Sequence, residues 1–143
     1  MNRHKQREYT FRVVFSLDQN QTEEPMEDID LQIDSVGIEN EEDIQLIRSK
    51  VKNVFSELVV IDELIEGASD KWTIDRIAKI ELAILRVAIY DMKFDEVPVQ
   101  VAINEAVELS KKYGEDQSSK FVNGVLGQIA KKLWLITCCP SFN

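Results

Sequence analysis

Pro98–Gly124 reads PVQVAINEAVELSKKYGEDQSSKFVNG. Proline suits the first turn of a helix, where its missing N–H has no carbonyl to serve. Behind it, Ala102, Ile103, Ala106, Leu109 and Tyr113 recur at three- and four-residue steps, the spacing of one buried helical face. Gly114 closes that helix. Asp116 opens another, expected to run to Leu133 with Phe121, Val122, Val125, Leu126 and Ile129 inward. Two amphipathic helices on so short a link favour antiparallel packing.

Working outward, Ile77–Met92 is apolar on most of its circumference through Ile80, Ala83, Ile84, Val87, Ala88 and Tyr90, which places it at the centre of a bundle. Trp72–Arg76 reads as a turn with a short helical piece. Further upstream, Ile44, Ile47, Val51, Val54, Phe55, Leu58, Ile61 and Leu64 predict one helix over Glu41–Ile65, with acids in its first turn and Gly67 at its end. Arg3–Gln19 predicts an amphipathic helix around Phe11, Val14 and Phe15. Gln21–Glu42 is acidic and turn-rich, with room for one short helix at Asp28–Ile33. The expectation is an all-α chain of about seven helices in two packed subdomains, 1–67 and 68–133, followed by an irregular tail at 134–143.

The net charge of −9 disfavours nucleic acid on average, but the charge is segregated. Residues 1–17 carry +3, residues 18–70 carry −13 and residues 71–143 carry +1. A basic start on an acidic body is the pattern of a local anion-binding arm. The only two cysteines, Cys138 and Cys139, are adjacent, so no disulfide framework or cysteine zinc site is expected, and a reducing cytoplasmic setting is the simplest reading. The basic N-terminus lacks the apolar core and cleavage site of a secretion signal. No uncharged apolar run approaches the roughly 20 residues that span a bilayer.

Catalytic chemistry has few candidates, and no cofactor or metal is expected. His4 is the sole histidine, and a solvated terminal residue explains it better than a general base or a metal ligand. Gly124 and Gly127 sit in an apolar helical pattern and read as close helix–helix contacts rather than a phosphate loop. Glu105/Glu108 and Glu115/Asp116 fit a solvated helix face better than an acid–base pair. For the basic start two readings stand: a solubilising terminus, or cations that release counterions from a nucleic acid. Phe15 and Phe121 are likewise open between core packing and stacking on unpaired bases.

Val97–Gly114 together with Ser118–Gly124 resembles the signature of the NusB family, V-P-x-x-V-A-I-N-E-A-V-E-L-x-K-x-Y-G followed by S-x-K-F-V-N-G. Ile80–Met92, IELAILRVAIYDM, resembles that family's apolar fifth helix, and Arg3–Glu8, RHKQRE, resembles its arginine-rich motif. The resemblance covers most of the chain apart from Gln21–Glu42 and the tail. It implies two helical subdomains and binding of the boxA element in ribosomal leader RNA. It also implies a heterodimer with the small-subunit ribosomal protein called NusE, which joins other Nus factors on RNA polymerase and suppresses termination. A homodimer is left open.

Carried over position by position, Arg3, Lys5 and Arg7 match the arm that holds RNA phosphates. His4 fills a place where relatives often carry arginine, which weakens the arm's fixed charge. Phe15 stands where an aromatic, often tyrosine, closes the first-helix motif; it keeps a stacking face without the hydroxyl. Gln117, Lys120, Phe121 and Asn123 match the loop and helix start near the RNA, and Gln117 takes a place open to an acid in relatives. Glu81 matches a position near the NusE and RNA surface. Together these imply one RNA surface made by the arm and the start of the last helix. Two rivals stand beside this. One is a helical adaptor that binds proteins but no RNA. The other is an RNA methyltransferase, whose catalytic domain 143 residues are not expected to hold.

Overall fold

The computed structural model describes residues 1–19, 24–68, 71 and 73–138, with side chains through Leu133. Among them every regular element is helical: α1 (Arg3–Gln19), α2 (Ile29–Val36), α3 (Glu41–Ser56), α4 (Leu58–Ala68), α5 (Lys79–Lys93), α6 (Val99–Tyr113) and α7 (Ser118–Cys138). Short 3-10 turns occupy Pro25–Asp28 and Ile74–Arg76. The chain forms two compact units, Met1–Leu58 and Val59 onward, so the division falls before the expected 67.

In the first unit, α1 begins where Asn2 Oδ1 accepts the Lys5 N–H at 2.8 Å, covering one of the donors a helix start leaves open. Phe11, Val13, Val14 and Leu17 are buried along it. The acidic stretch holds more order than expected. The 3-10 turn at Pro25 leads into α2, which buries Ile29 and Ile33 and ends at Gly37, whose φ of 78° suits a residue without a Cβ. Asn40 then caps α3, its Oδ1 accepting from the N–H groups of Glu42 (2.8 Å) and Asp43 (3.3 Å). The acids Glu41, Glu42 and Asp43 fill the first turn, where the helix dipole favours them. The three helices pack on one another.

The single helix expected over Glu41–Ile65 is broken. Glu57, at φ −107° and ψ 14°, leaves helical geometry, and Ser56 Oγ donates back to the Asn53 carbonyl at 2.8 Å. A serine hydroxyl of this kind competes with the helical ladder. Because the apolar stripe continues in phase across the break, periodicity alone reads through it.

The second unit is built around α5, in which every residue from Leu82 to Asp91 is buried. It packs against both α6 and α7, which also pack on each other, as the sequence implies. Arg86 reaches from α5 to α4 and forms a two-pronged pair with Asp62, Nε to Oδ1 and Nη2 to Oδ2, each 3.0 Å. Lys132 Nζ on α7 donates to the Gly67 carbonyl. Gly67 itself lies inside α4, one residue short of its end.

Two further expectations are corrected. The helix that was to stop at Leu133 continues to Cys138, since elongation needs no new signal once a helix is nucleated. An irregular tail from 134 therefore does not hold for 134–138, and Cys139–Asn143 lie outside the described residues, as does Trp72. A Cβ on Gly124 or Gly127 would meet nothing within 4 Å, so neither glycine marks a close helix contact.

Candidate nucleic-acid interface

The residues singled out by sequence fall into two groups, one in each unit. Arg3, His4, Lys5, Arg7 and Phe15 all lie on α1. The basic start is thus not an arm preceding the helix but its first turns. A helix advances about 100° per residue, so residues two apart face away from each other. Arg3 and Arg7 share one side; Lys5 points to the other. Arg3, His4 and Lys5 are exposed, whereas Arg7 is 7 % exposed and its guanidinium belongs to the packed part of the unit. Lys5 Nζ stands 3.8 Å from Glu8 Oε1 one turn on. Phe15 is half-buried, its ring 6.4 Å from that of Phe11.

Sequence reasoning passed over Tyr9 as a site residue and gave Arg12 no role of its own. Both are half-exposed, and the Arg12 guanidinium lies 5.7 Å from the centre of the Tyr9 ring. The signal was available: Tyr9 and Arg12 follow Lys5 at four- and seven-residue steps, the period of one helix face.

In the second unit, Gln117, Lys120, Phe121 and Asn123 gather at the start of α7. Gln117 lies just before the helix and its carbonyl accepts the Phe121 N–H at 3.2 Å, closing the first turn. Gln117, Lys120 and Asn123 are exposed and Phe121 half-buried. Lys120 and Asn123 line an open groove of about 470 Å³ between α6 and α7, with Ser119 beside them and Asn104, Val107, Glu108 and Lys111 opposite. Two ammonium groups, two amides and a hydroxyl around a concave surface suit phosphate and base edges together. Lys111 is engaged with Glu108 at 3.8 Å, but both side chains are more than half exposed, so the pair is weak and open to exchange.

Glu81 is engaged within the second unit. It is half-buried in the first turn of α5, and its Oε1 accepts from Ser118 Oγ at 3.0 Å. The same hydroxyl oxygen accepts the Glu115 N–H at 2.9 Å. Gly114 makes this possible: a Cβ there would come within 2.6 Å of Ser118 Oγ and 2.8 Å of the Ser110 carbonyl. Glu81, Gly114 and Ser118 therefore hold the turn that presents Gln117 and Lys120. Among the described residues no cluster of His, Cys, Asp and Glu has the arrangement to hold a metal ion. No helix in that part of the chain is long and apolar enough to cross a membrane.

The chain resembles known proteins over most of its length. A sequence model described as the NusB family matches residues 4–131. The transcription antitermination protein NusB of Oceanobacillus iheyensis is 48 % identical over 130 residues, spanning 90 % of this chain and 98 % of that protein. Among solved structures, NusB of T. maritima superposes with a TM-score of 0.81 at 29 % identity, covering 92 % of each chain. A chain from a crystal structure of the antitermination factors NusB and NusE in complex with double-stranded RNA gives 0.79 at 27 % identity, covering 92 % of this chain and 99 % of that one.

Proposed function

Because the chain belongs to the NusB family, we propose that it is a transcription antitermination factor that binds boxA RNA of ribosomal leader transcripts as a heterodimer with NusE. One observation carries this: the family match runs through nearly the whole described chain, and a similar fold has been solved with NusE and RNA. The heterodimer joins other Nus factors on RNA polymerase and lets it read through terminators, which places the protein in the cytoplasm. The role is one of binding and asks no reaction of the chain's own residues. An adaptor that binds no RNA is disfavoured by the RNA in that solved complex.

In this proposal two surfaces meet the RNA. The exposed cations of α1, Arg3 and Lys5, hold phosphates with His4 beside them, while Phe15 offers a face for stacking. The groove of α6 and α7 supplies Lys120 for the backbone, Asn123 and Gln117 for base edges, and Phe121 for stacking. Arg7 supports α1 from within, and Glu81 supports the turn before α7. Mobility shift with boxA RNA tests the whole: a complex is expected, tighter when NusE is added. Absence of any shift with or without NusE refutes it.

A further inference from the structure

Resting on that RNA-binding role, we propose that Lys5, Tyr9 and Arg12 form a stacking track on α1 for an unpaired nucleotide, extending the site beyond the residues at the helix start. At about 100° per residue, these three side chains leave the helix within about 60° of one another. They are also the side that stays open. Lys5 is exposed and Tyr9 and Arg12 half-exposed, whereas Arg7, Glu8, Thr10, Phe11, Val13 and Val14 are buried. Ser16 continues the same line, half-exposed, one turn further.

The chemistry along this stripe alternates. Lys5 offers an ammonium. Tyr9 offers an aromatic face, already covered on one side by the Arg12 guanidinium at 5.7 Å. A planar cation over an aromatic ring is the arrangement that accepts a base by stacking, because the base replaces or flanks the guanidinium on the same ring face while arginine moves to the phosphate. Tyrosine and arginine together bring both elements of single-strand recognition, a π-face and a positive charge.

The test uses the full chain and boxA RNA with 2-aminopurine at successive positions, with and without NusE. Tyr9→Ala is expected to weaken binding by roughly 5- to 150-fold with the salt dependence unchanged, matching the usual worth of one stacked base. Tyr9→Phe is expected to bind as the parent does. Arg12→Gln is expected to reduce the salt slope by about 0.7, the share of one phosphate contact on a single strand. One 2-aminopurine position is expected to lose its quenching in Tyr9→Ala. If Tyr9→Ala and Arg12→Gln keep affinity, slope and quenching while Arg3→Ala still weakens binding, the track is overturned and the RNA role stands. If the parent itself binds no RNA, the role fails first. Thermal unfolding of each variant separates a loss of fold from a loss of contact, and Tyr9→Phe keeps the helix packing as control.

Discussion

Replacing Arg3 and Lys5 together with alanine removes two exposed cations from the first turns of α1 and disturbs little else. The Asn2 cap uses the backbone of Lys5, not its side chain, and the Lys5–Glu8 pair is long, at 3.8 Å, although its carboxylate is buried, so unfolding is read beside binding. On a single-stranded RNA each phosphate contact contributes about 0.7 to the slope of log K against log salt concentration. Two lost contacts reduce that slope by about 1.4, a loss of roughly 25-fold at 0.1 M salt, or about 1.9 kcal/mol. Between 50 and 200 mM salt the variant should lose about sevenfold less affinity than the parent. Arg7→Ala is the contrast. That residue is 7 % exposed, so its removal should lower the unfolding temperature and leave the slope as in the parent. Fluorescence titration of labelled boxA RNA at four salt concentrations, beside thermal unfolding, reads both. An unchanged slope in the double variant, or a full loss of slope in a stably folded Arg7→Ala, refutes the division of labour on α1.

Asp62→Ala breaks the two-pronged contact with Arg86, whose guanidinium side chain is 7 % exposed; since Asp62 is 24 % exposed and water reaches it, the loss should be about 2–3 kcal/mol, seen as a drop of roughly 10 °C in Tm by calorimetry. Glu81→Ala and Ser118→Ala should each speed amide exchange at Glu115 and weaken RNA binding without adding in the double variant, while Glu81→Gln, which keeps an acceptor, retains both properties; simple additivity in the double variant rejects the shared bond. Gly114→Ala forces a Cβ to within 2.6 Å of Ser118 Oγ and should cost about 1–3 kcal/mol, measured by urea unfolding. Glu41→Gln with Glu42→Gln should raise boxA affinity a fewfold at 50 mM salt and leave it unchanged at 0.5 M, because the terminal ammonium of Met1, 3.8 Å from Asp43, places the acidic first turn of α3 beside the start of α1.

Much of the helical layout was readable from apolar periodicity, and the reasons for the misses are physical. The extent of α1 follows from its apolar spacing, and the opening of α6 behind Pro98 from a proline. The central place of α5 follows from an apolar circumference. The break at Glu57 leaves no such trace, since no glycine or proline stands there and the stripe stays in phase on both sides. The groove had a partial signature: Lys120 and Asn123 lie in a recognisable motif, but Asn104 and Lys111 join them only through the packing of α6 on α7, which no local pattern encodes. Arg7 shows a related limit: its charge suggested solvent, whereas it is 7 % exposed and stands about 160° around α1 from Lys5.

For the proposed sites, the same rotation accounts for how a chain of net charge −9 would present a surface to RNA. Screening limits each charge to about 10 Å at 0.1 M salt, so what a phosphate meets is the local set of side chains and not the sum over the molecule. On α1 that set is favourable because its acids are few: Glu8 is buried and Asp18 lies in the final turn, leaving the open stripe to Lys5, Tyr9 and Arg12. In the second unit, Lys111 and Lys120 face a groove in which Glu108, the one acid among its described lining residues, is already turned toward Lys111. The acids of residues 18–70 act differently: they repel RNA, and those in the first turn of α3 do so beside the start of α1. Where the proposed basic surfaces are the ones RNA meets, neutralising the acids would be expected to strengthen non-specific binding more than binding to boxA.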